Sequence, residues 1–293
     1  AMGCHIFAIK DMAGLLKPYA AKMLFTELKK ELNIPVHLHT HDTTGNGVST
    51  VLMAAEAGVD IVDLAIESMS SVTSQPSMNS VVYALKGTER DTGLDPDELK
   101  ELSRYYEDVR KVYGGFESKM QTPSTEIYKY EIPGGQYSNL RFQVKEMGSA
   151  DDFEEIKELY KQSNELFGNI VKVTPSSKVI GDFAIFMQKN GLTKDNIFEK
   201  GKDLSYPESA VEYFKGLVGR PDGGFPEELS KIVLKDQKPI EGRAGELLEP
   251  ADFEKMGDEL MEKFNFDNVN IRNILSYALY PKVYDDYCTH LQH

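Results

Sequence analysis

At 293 residues and 41% hydrophobic, the chain has enough apolar material for one large domain or two ordinary ones with real cores. A formal charge of −14 with no offsetting basic run argues against a nucleic-acid binder, and no long apolar run or signal-like start points to a membrane span or to secretion. Cys4 and Cys288 lie near opposite ends and make no disulfide framework, so a reducing, cytoplasmic setting is expected.

Ala1-Met2-Gly3-Cys4 leads at once into the strand pattern His5-Ile6-Phe7-Ala8-Ile9-Lys10, the start expected of a chain entered midway through a domain. Asp11-Met12-Ala13-Gly14 turns the chain, and Pro18 opens a helix to about Leu32 whose apolar face carries Leu24, Phe25 and Leu28. Pro35 admits the strand Val36-His37-Leu38-His39-Thr40-His41-Asp42. A second turn at Thr43-Thr44-Gly45-Asn46-Gly47, a helix through Ala54, Ala55 and Ala57, and the strand Ile61-Val62-Asp63-Leu64-Ala65 follow. Strand starts about 25 to 30 residues apart are the period of strand-helix units in a parallel sheet, which open doubly wound sheets and closed barrels share. Polar residues close each strand, as on the catalytic face of a barrel: Lys10-Asp11, His41-Asp42, and Glu67-Ser68 onward.

From Thr73-Ser74-Gln75-Pro76 a helix is predicted to Leu85, and from Asp95-Pro96 another through Tyr113. Gln121-Thr122-Pro123-Ser124 reads as a linker, and a short Ile127-Tyr128-Lys129-Tyr130 segment follows. Beyond it the pattern is helical, with segments near Tyr137 to Met147, Phe153 to Phe167, Ser177 to Asn190, Pro207 to Leu217, Pro226 to Leu234, Pro250 to Phe264 and Val269 to Ala278. The second part is expected to be mostly α.

A strand period of two points His37, His39 and His41 the same way, and imidazole is the commonest protein ligand for divalent transition metals. Packed, hydrogen-bonded histidines at a strand end are the plainer alternative; the spacing, Asp42 and the turn glycines favour a metal at His39 and His41, with His37 packed behind them. Lys10 reads as an ordinary surface cation, because an ammonium has no lone pair to give. Addition of CO₂ to its neutral amine would turn it into a two-oxygen ligand. Val173-Thr174-Pro175-Ser176-Ser177-Lys178 reads first as a capped helix start, and second as a hydroxyl and a cation at a helix N-terminus, where anions are favoured. Ile132-Pro133-Gly134-Gly135-Gln136 and Gly219 to Pro226 read as turns, and neither has the glycine spacing of a dinucleotide or Walker-type loop.

Taken together, five stretches resemble the carboxyltransferase domain of the pyruvate carboxylase family: Ile9-Lys10-Asp11-Met12-Ala13-Gly14-Leu15, His37 to Asp42, Met69 to Ser77, Pro133 to Leu140, and Val171 to Lys178. The resemblance implies an α/β fold, the C-terminal part of a TIM-type (β/α)8 barrel over residues 1–120, followed by a mostly α-helical funnel domain over residues 121–293. It implies transfer of CO₂ from carboxybiotin to pyruvate, giving oxaloacetate. A divalent metal (Mn, Zn or Mg) would be held by His39, His41 and Lys10 as a carbamate, Thr174 would relay a proton, and Ser177 and Lys178 would hold biotin.

The family's fourth ligand, an aspartate of the first barrel strand, and its ketoacid-binding glutamine and arginine have no counterpart here, so the chain alone is expected to be inactive. There is no Met-Lys-Met biotinyl motif or ATP-grasp region; biotin is expected on a carrier domain and its carboxylation on a biotin carboxylase domain, in a homo-oligomer that is tetrameric in the full-length family. Lys178 and Gln136-Tyr137 favour pyruvate carboxylase over the alpha subunits of oxaloacetate decarboxylase and transcarboxylase. A non-catalytic assembly module is the remaining alternative.

Overall fold

Residues 3–117, 120–148 and 152–291 are described by a computed structural model of the chain. The abrupt start expected at Ala1 and Met2 lies outside them. Three strands, β1 (Phe7–Asp11), β2 (Val36–Thr40) and β3 (Ile61–Val62), form one parallel sheet in the order β1-β2-β3. The helices α1 (Pro18–Glu31) and α2 (Gly47–Glu56) connect them, as the strand-helix period predicts.

Alternation sorts the side chains of this sheet. Val36 and Leu38 are fully buried and pack with Ala21 and Phe25 of α1 and with Val51 and Ala54 of α2. The intervening residues, Lys10 paired with His39 and Ala8 paired with His37, share the opposite face. Pro18 occupies the first turn of α1, where its missing N–H costs nothing, and Lys29 and Lys30 lie at the carboxyl end, where cations are favoured.

The next stretch departs from expectation twice. The strand predicted over Ile61–Ala65 ends at Val62: Asp63 N–H still donates to the Leu38 carbonyl at 3.0 Å, but Ala65 then pairs with Ser77 instead of β2. The helix predicted from Thr73 begins only at Met78, as α3 (Met78–Leu85). Between them Ser71 and Val72 both adopt positive φ, 72° and 47°, closing a tight turn that no helix can include. Ser77 then caps α3 by accepting from Ser80 N–H at 3.3 Å. Next comes α4 (Pro96–Val112), with Asp95 capping its first turn by accepting from Asp97 N–H at 2.8 Å.

The helical part runs through α5 (Ile127–Tyr130), α6 (Gly134–Glu146), α7 (Phe153–Leu166), α8 (Ser176–Lys189), α9 (Ile197–Lys200), α10 (Glu208–Lys215) and α11 (Glu227–Leu234). Its core is aromatic. Phe167 meets Phe183 and Phe214 with ring centroids 5.0 Å apart in each case, and Tyr160 is fully buried nearby in the same cluster. Ala13 and Leu15, from the loop after β1, pack into this core and so join the sheet to the helices.

The chain divides into compact units at Glu241/Gly242, inside the expected second domain. The later unit contains α12 (Phe253–Phe264), α13 (Ile271–Leu279) and α14 (Pro281–Leu291) around Leu260, Phe264, Tyr284 and Cys288. The one-turn α9 and the terminal α14 have no counterpart among the predicted elements. Among the described residues no helix is long and apolar enough to cross a membrane.

Candidate active site

The carboxyl end of β2 gathers the charged and imidazole side chains. Lys10 and His39 are partners across the parallel ladder, on the face away from the helices. His37 Nε2–H and His39 Nδ1–H donate to the two oxygens of one carboxylate, Asp63, each at 2.8 Å. Burial pushes the Asp63 carboxyl up, but the two imidazole hydrogen bonds outweigh it and hold the group below its ordinary carboxylate value. His41, just past the strand, is buried and donates from Nδ1 to the Thr73 carbonyl at 2.7 Å. Its ring stands at 74° to that of His39, with centroids 5.3 Å apart. Burial lowers the His41 pKa from 6.5, against the Thr73 hydrogen bond, so the ring is neutral at pH 7.

Both rings thus spend Nδ1 on an oxygen acceptor, which leaves the lone pair on Nε2. Among the described residues there is no cluster of three or more His, Cys, Asp or Glu side chains placed to hold a metal ion. The donor set is two imidazoles with Lys10 beside them. That set fits a divalent cation through His39 and His41, and through Lys10 once its amine has become an anionic carbamate.

The surrounding loops are built to keep His41 where it is. Asp11 accepts the N–H groups of Leu15 and Leu16 and the hydroxyl of Thr40, each at 2.9 Å, which folds the Asp11–Leu16 turn against β2. Thr43 and Thr44 donate to the carbonyls of Ala13 and Gly14 at 2.5 and 3.1 Å. Gly14 has φ +67°, and a Cβ there would overlap the His41 carbonyl. At Gly134 a Cβ would lie 2.7 Å from His41 Nδ1 and 2.9 Å from the Thr73 carbonyl, so the Pro133-Gly134 turn crosses the imidazole only because glycine is there. Asp42 accepts the N–H of Gly47 at 2.8 Å and the hydroxyl of Ser71 at 3.0 Å, tying the positive-φ turn to the start of α2.

The second group of predicted residues lies at the start of α8. Thr174 is exposed and Ser177 buried. Lys178 is exposed and paired with Asp182 at 2.6 Å, and Asp182 also accepts from Ser209. The predicted side-chain cap is absent: Pro175 occupies the N-cap, and Ser176 Oγ turns back to the Val171 and Val173 carbonyls at 2.7 and 2.6 Å.

The first turn of α6 spans the two groups. Gly134 rests on His41, and two residues on the buried Gln136 amide reaches the bare backbone of Gly181 on α8, one turn past Ser177. The sequence points to neither Asp63 nor the Thr73 carbonyl, and to Gly134 only as part of a turn. A usable signal existed for Asp63: it comes just after β3, as Asp11 closes β1 and Asp42 comes just after β2. Thr73 had none, because a backbone carbonyl is placed by the fold alone.

A short parallel strand-helix array with polar groups at its strand ends, joined to a helical bundle through the loop after β1, is the arrangement of part of a barrel-type α/β domain. The family profile described as "Conserved carboxylase domain" matches residues 127–293, and one described as "HMGL-like" matches residues 1–105. The pyruvate carboxylase of Bacillus subtilis is 53% identical over 287 residues, covering 98% of the chain and 25% of the relative. The mitochondrial pyruvate carboxylase of Homo sapiens is 44% identical over 285 residues, covering 96% and 24%. The carboxyl transferase domain of Rhizobium etli pyruvate carboxylase, solved with pyruvate and biocytin, superposes with a TM-score of 0.92 at 45% identity, covering 98% of this chain and 48% of that one. The chain belongs to the pyruvate carboxylase family and corresponds to its carboxyltransferase region, spanning about a quarter of the length of the curated relatives it matches.

Proposed function

We propose that the chain forms part of the site in which a biotin-dependent pyruvate carboxylase transfers CO₂ from carboxybiotin to pyruvate, giving oxaloacetate. The observation that carries this reading is the likeness over 98% of the chain to a carboxyl transferase domain whose structure contains pyruvate and biocytin. Residues 1–120 supply the barrel strands and 121–293 the helical funnel; biotin arrives on a carrier domain, carboxylated by a biotin carboxylase domain, within a homo-oligomer in a reducing compartment such as the cytoplasm.

In this reading the C–N bond of carboxybiotin breaks and a C–C bond forms to the methyl carbon of pyruvate. That carbon must lose a proton, and the biotin ring nitrogen must gain one. Thr174 is assigned as the relay, because a hydroxyl gives its proton to the nitrogen and takes one from the methyl group in a single exchange. Its exposure at the start of α8 leaves it free to meet both partners.

Ser177 and Lys178 are assigned to biotin. The Lys178–Asp182 pair lies on the surface, where such pairs are worth about 0–1 kcal/mol, so turning the ammonium to an incoming carboxylate costs little. His39, His41 and carbamylated Lys10 would hold a divalent ion (Mn, Zn or Mg), which when bound supplies a positive field for the enolate oxygen. The remaining work, orienting the imidazoles and excluding water around them, falls to the loops that bury His41.

The test is a chimaera in which this chain replaces the matching quarter of the B. subtilis enzyme. Pyruvate-dependent oxaloacetate formation is expected. A chimaera that assembles and binds metal but forms no oxaloacetate overturns the reading.

A further inference from the structure

We propose that Asp63 is a positioning residue that fixes the tautomer and orientation of His39 and so presents its Nε2 to a divalent cation, with His37 as the brace that keeps the carboxylate in line. The inference rests on the metal reading above and adds to it a residue and a means.

An ionised carboxylate only accepts hydrogen bonds, so both imidazole nitrogens that meet it must carry hydrogen: Nδ1 of His39 and Nε2 of His37, each 2.8 Å from its own oxygen. With the proton on Nδ1, the lone pair of His39 is on Nε2, which makes no hydrogen bond among the described residues. A carboxylate behind the ring also makes that lone pair more basic than a neutral acceptor does. The position of Asp63 is itself held by the ladder, because its N–H donates to the Leu38 carbonyl at 3.0 Å, between the two histidines.

His37 has no other assigned role, and its bond to Oδ1 stops the carboxylate from rotating away from His39. The two candidate ligands are therefore supported unequally. His39 is backed by an anion, and His41 by the neutral Thr73 carbonyl.

The inference is tested by long-range ¹H–¹⁵N NMR of the imidazoles in the 293-residue chain without metal, and by titration of the B. subtilis chimaera with Co²⁺. The unsubstituted chain is expected to have His39 with hydrogen on Nδ1. Asp63→Ala is expected to lose that preference and to bind Co²⁺ about 10- to 100-fold more weakly, the usual effect of removing such a partner. Asp63→Asn has one acceptor oxygen for two imidazoles and is expected to fall between the two, with circular dichroism unchanged in all three proteins.

If His39 keeps its Nδ1 hydrogen in Asp63→Ala and Co²⁺ binds as tightly as before, the role of Asp63 is overturned while the metal reading stands. If the unsubstituted chain lacks the Nδ1 tautomer of His39, the assignment is overturned; if it has that tautomer but the chimaera, which restores the fourth ligand, binds no Co²⁺, the metal reading is overturned, and the assignment with it.

Discussion

Thr174 and Gly134 carry opposite kinds of requirement, one chemical and one steric. If the Thr174 hydroxyl relays the proton, Thr174→Ala in the B. subtilis chimaera lowers the rate of oxaloacetate formation by about 10²- to 10⁴-fold, and Thr174→Ser, which keeps the hydroxyl, restores most of it. At Gly134 even one methyl group meets His41 Nδ1 at 2.7 Å. Gly134→Ala is therefore expected to push the ring off the Thr73 carbonyl and to weaken Co²⁺ binding by the chimaera, as read by titration. Unaltered affinity would mean that the turn shifts without disturbing the imidazole. The sequence offers His39 and His41 as a pair through their spacing, Asp42 and the turn glycines together, and leaves His37 as a packed neighbour; in the structure His37 is braced on Asp63. The partners were not legible, because Asp63 lies 24 residues from His39 and meets it only through the parallel ladder.

At the scale of an element, α7 presents two contrasting polar groups. Lys157, with a side chain only 4% exposed, pairs with Glu126 at 2.7 Å and Glu154 at 2.8 Å and lies over the rings of Tyr130 and Phe153. Burial pushes its pKa down, but the two carboxylates outweigh burial and leave it above 10.5. A raised folded-state value means that the ionic contribution is full below 10.5 and fades as pH rises through the higher value. Lys157→Ala should then cost about 1–2 kcal/mol in urea unfolding at neutral pH, since both carboxylates are largely exposed and much of the loss is the packed stem. That cost should shrink only in strongly alkaline solution. Tyr160 is the reverse case: its buried hydroxyl has no partner among the described residues, and burial pushes its pKa up. Tyr160→Phe is expected to raise stability by about 1 kcal/mol, and a destabilised variant would reveal a partner for the hydroxyl.

Across the whole molecule the parallel sheet has two outer strands, β1 and β3; Phe7 and Ile61 on them are each 37% exposed, and Ile6, just before β1, is 46% exposed. Exposed apolar edges are templates for further pairing. The isolated chain is expected to self-associate with concentration in sedimentation, and Phe7→Lys to reduce this; a monodisperse monomer at all concentrations would contradict it.

The sequence by itself determined the strand-helix units and the long helices and offered the candidates for chemistry, because periodicity and spacing act within about one element. Only the tertiary structure decided that Asp63 joins two histidines, that a strained turn at Ser71-Val72 brings the Thr73 carbonyl to His41, and that α6 spans the imidazoles and the start of α8. Each of those contacts joins residues far apart in the chain, and no local pattern specifies a distance that the packed fold alone sets.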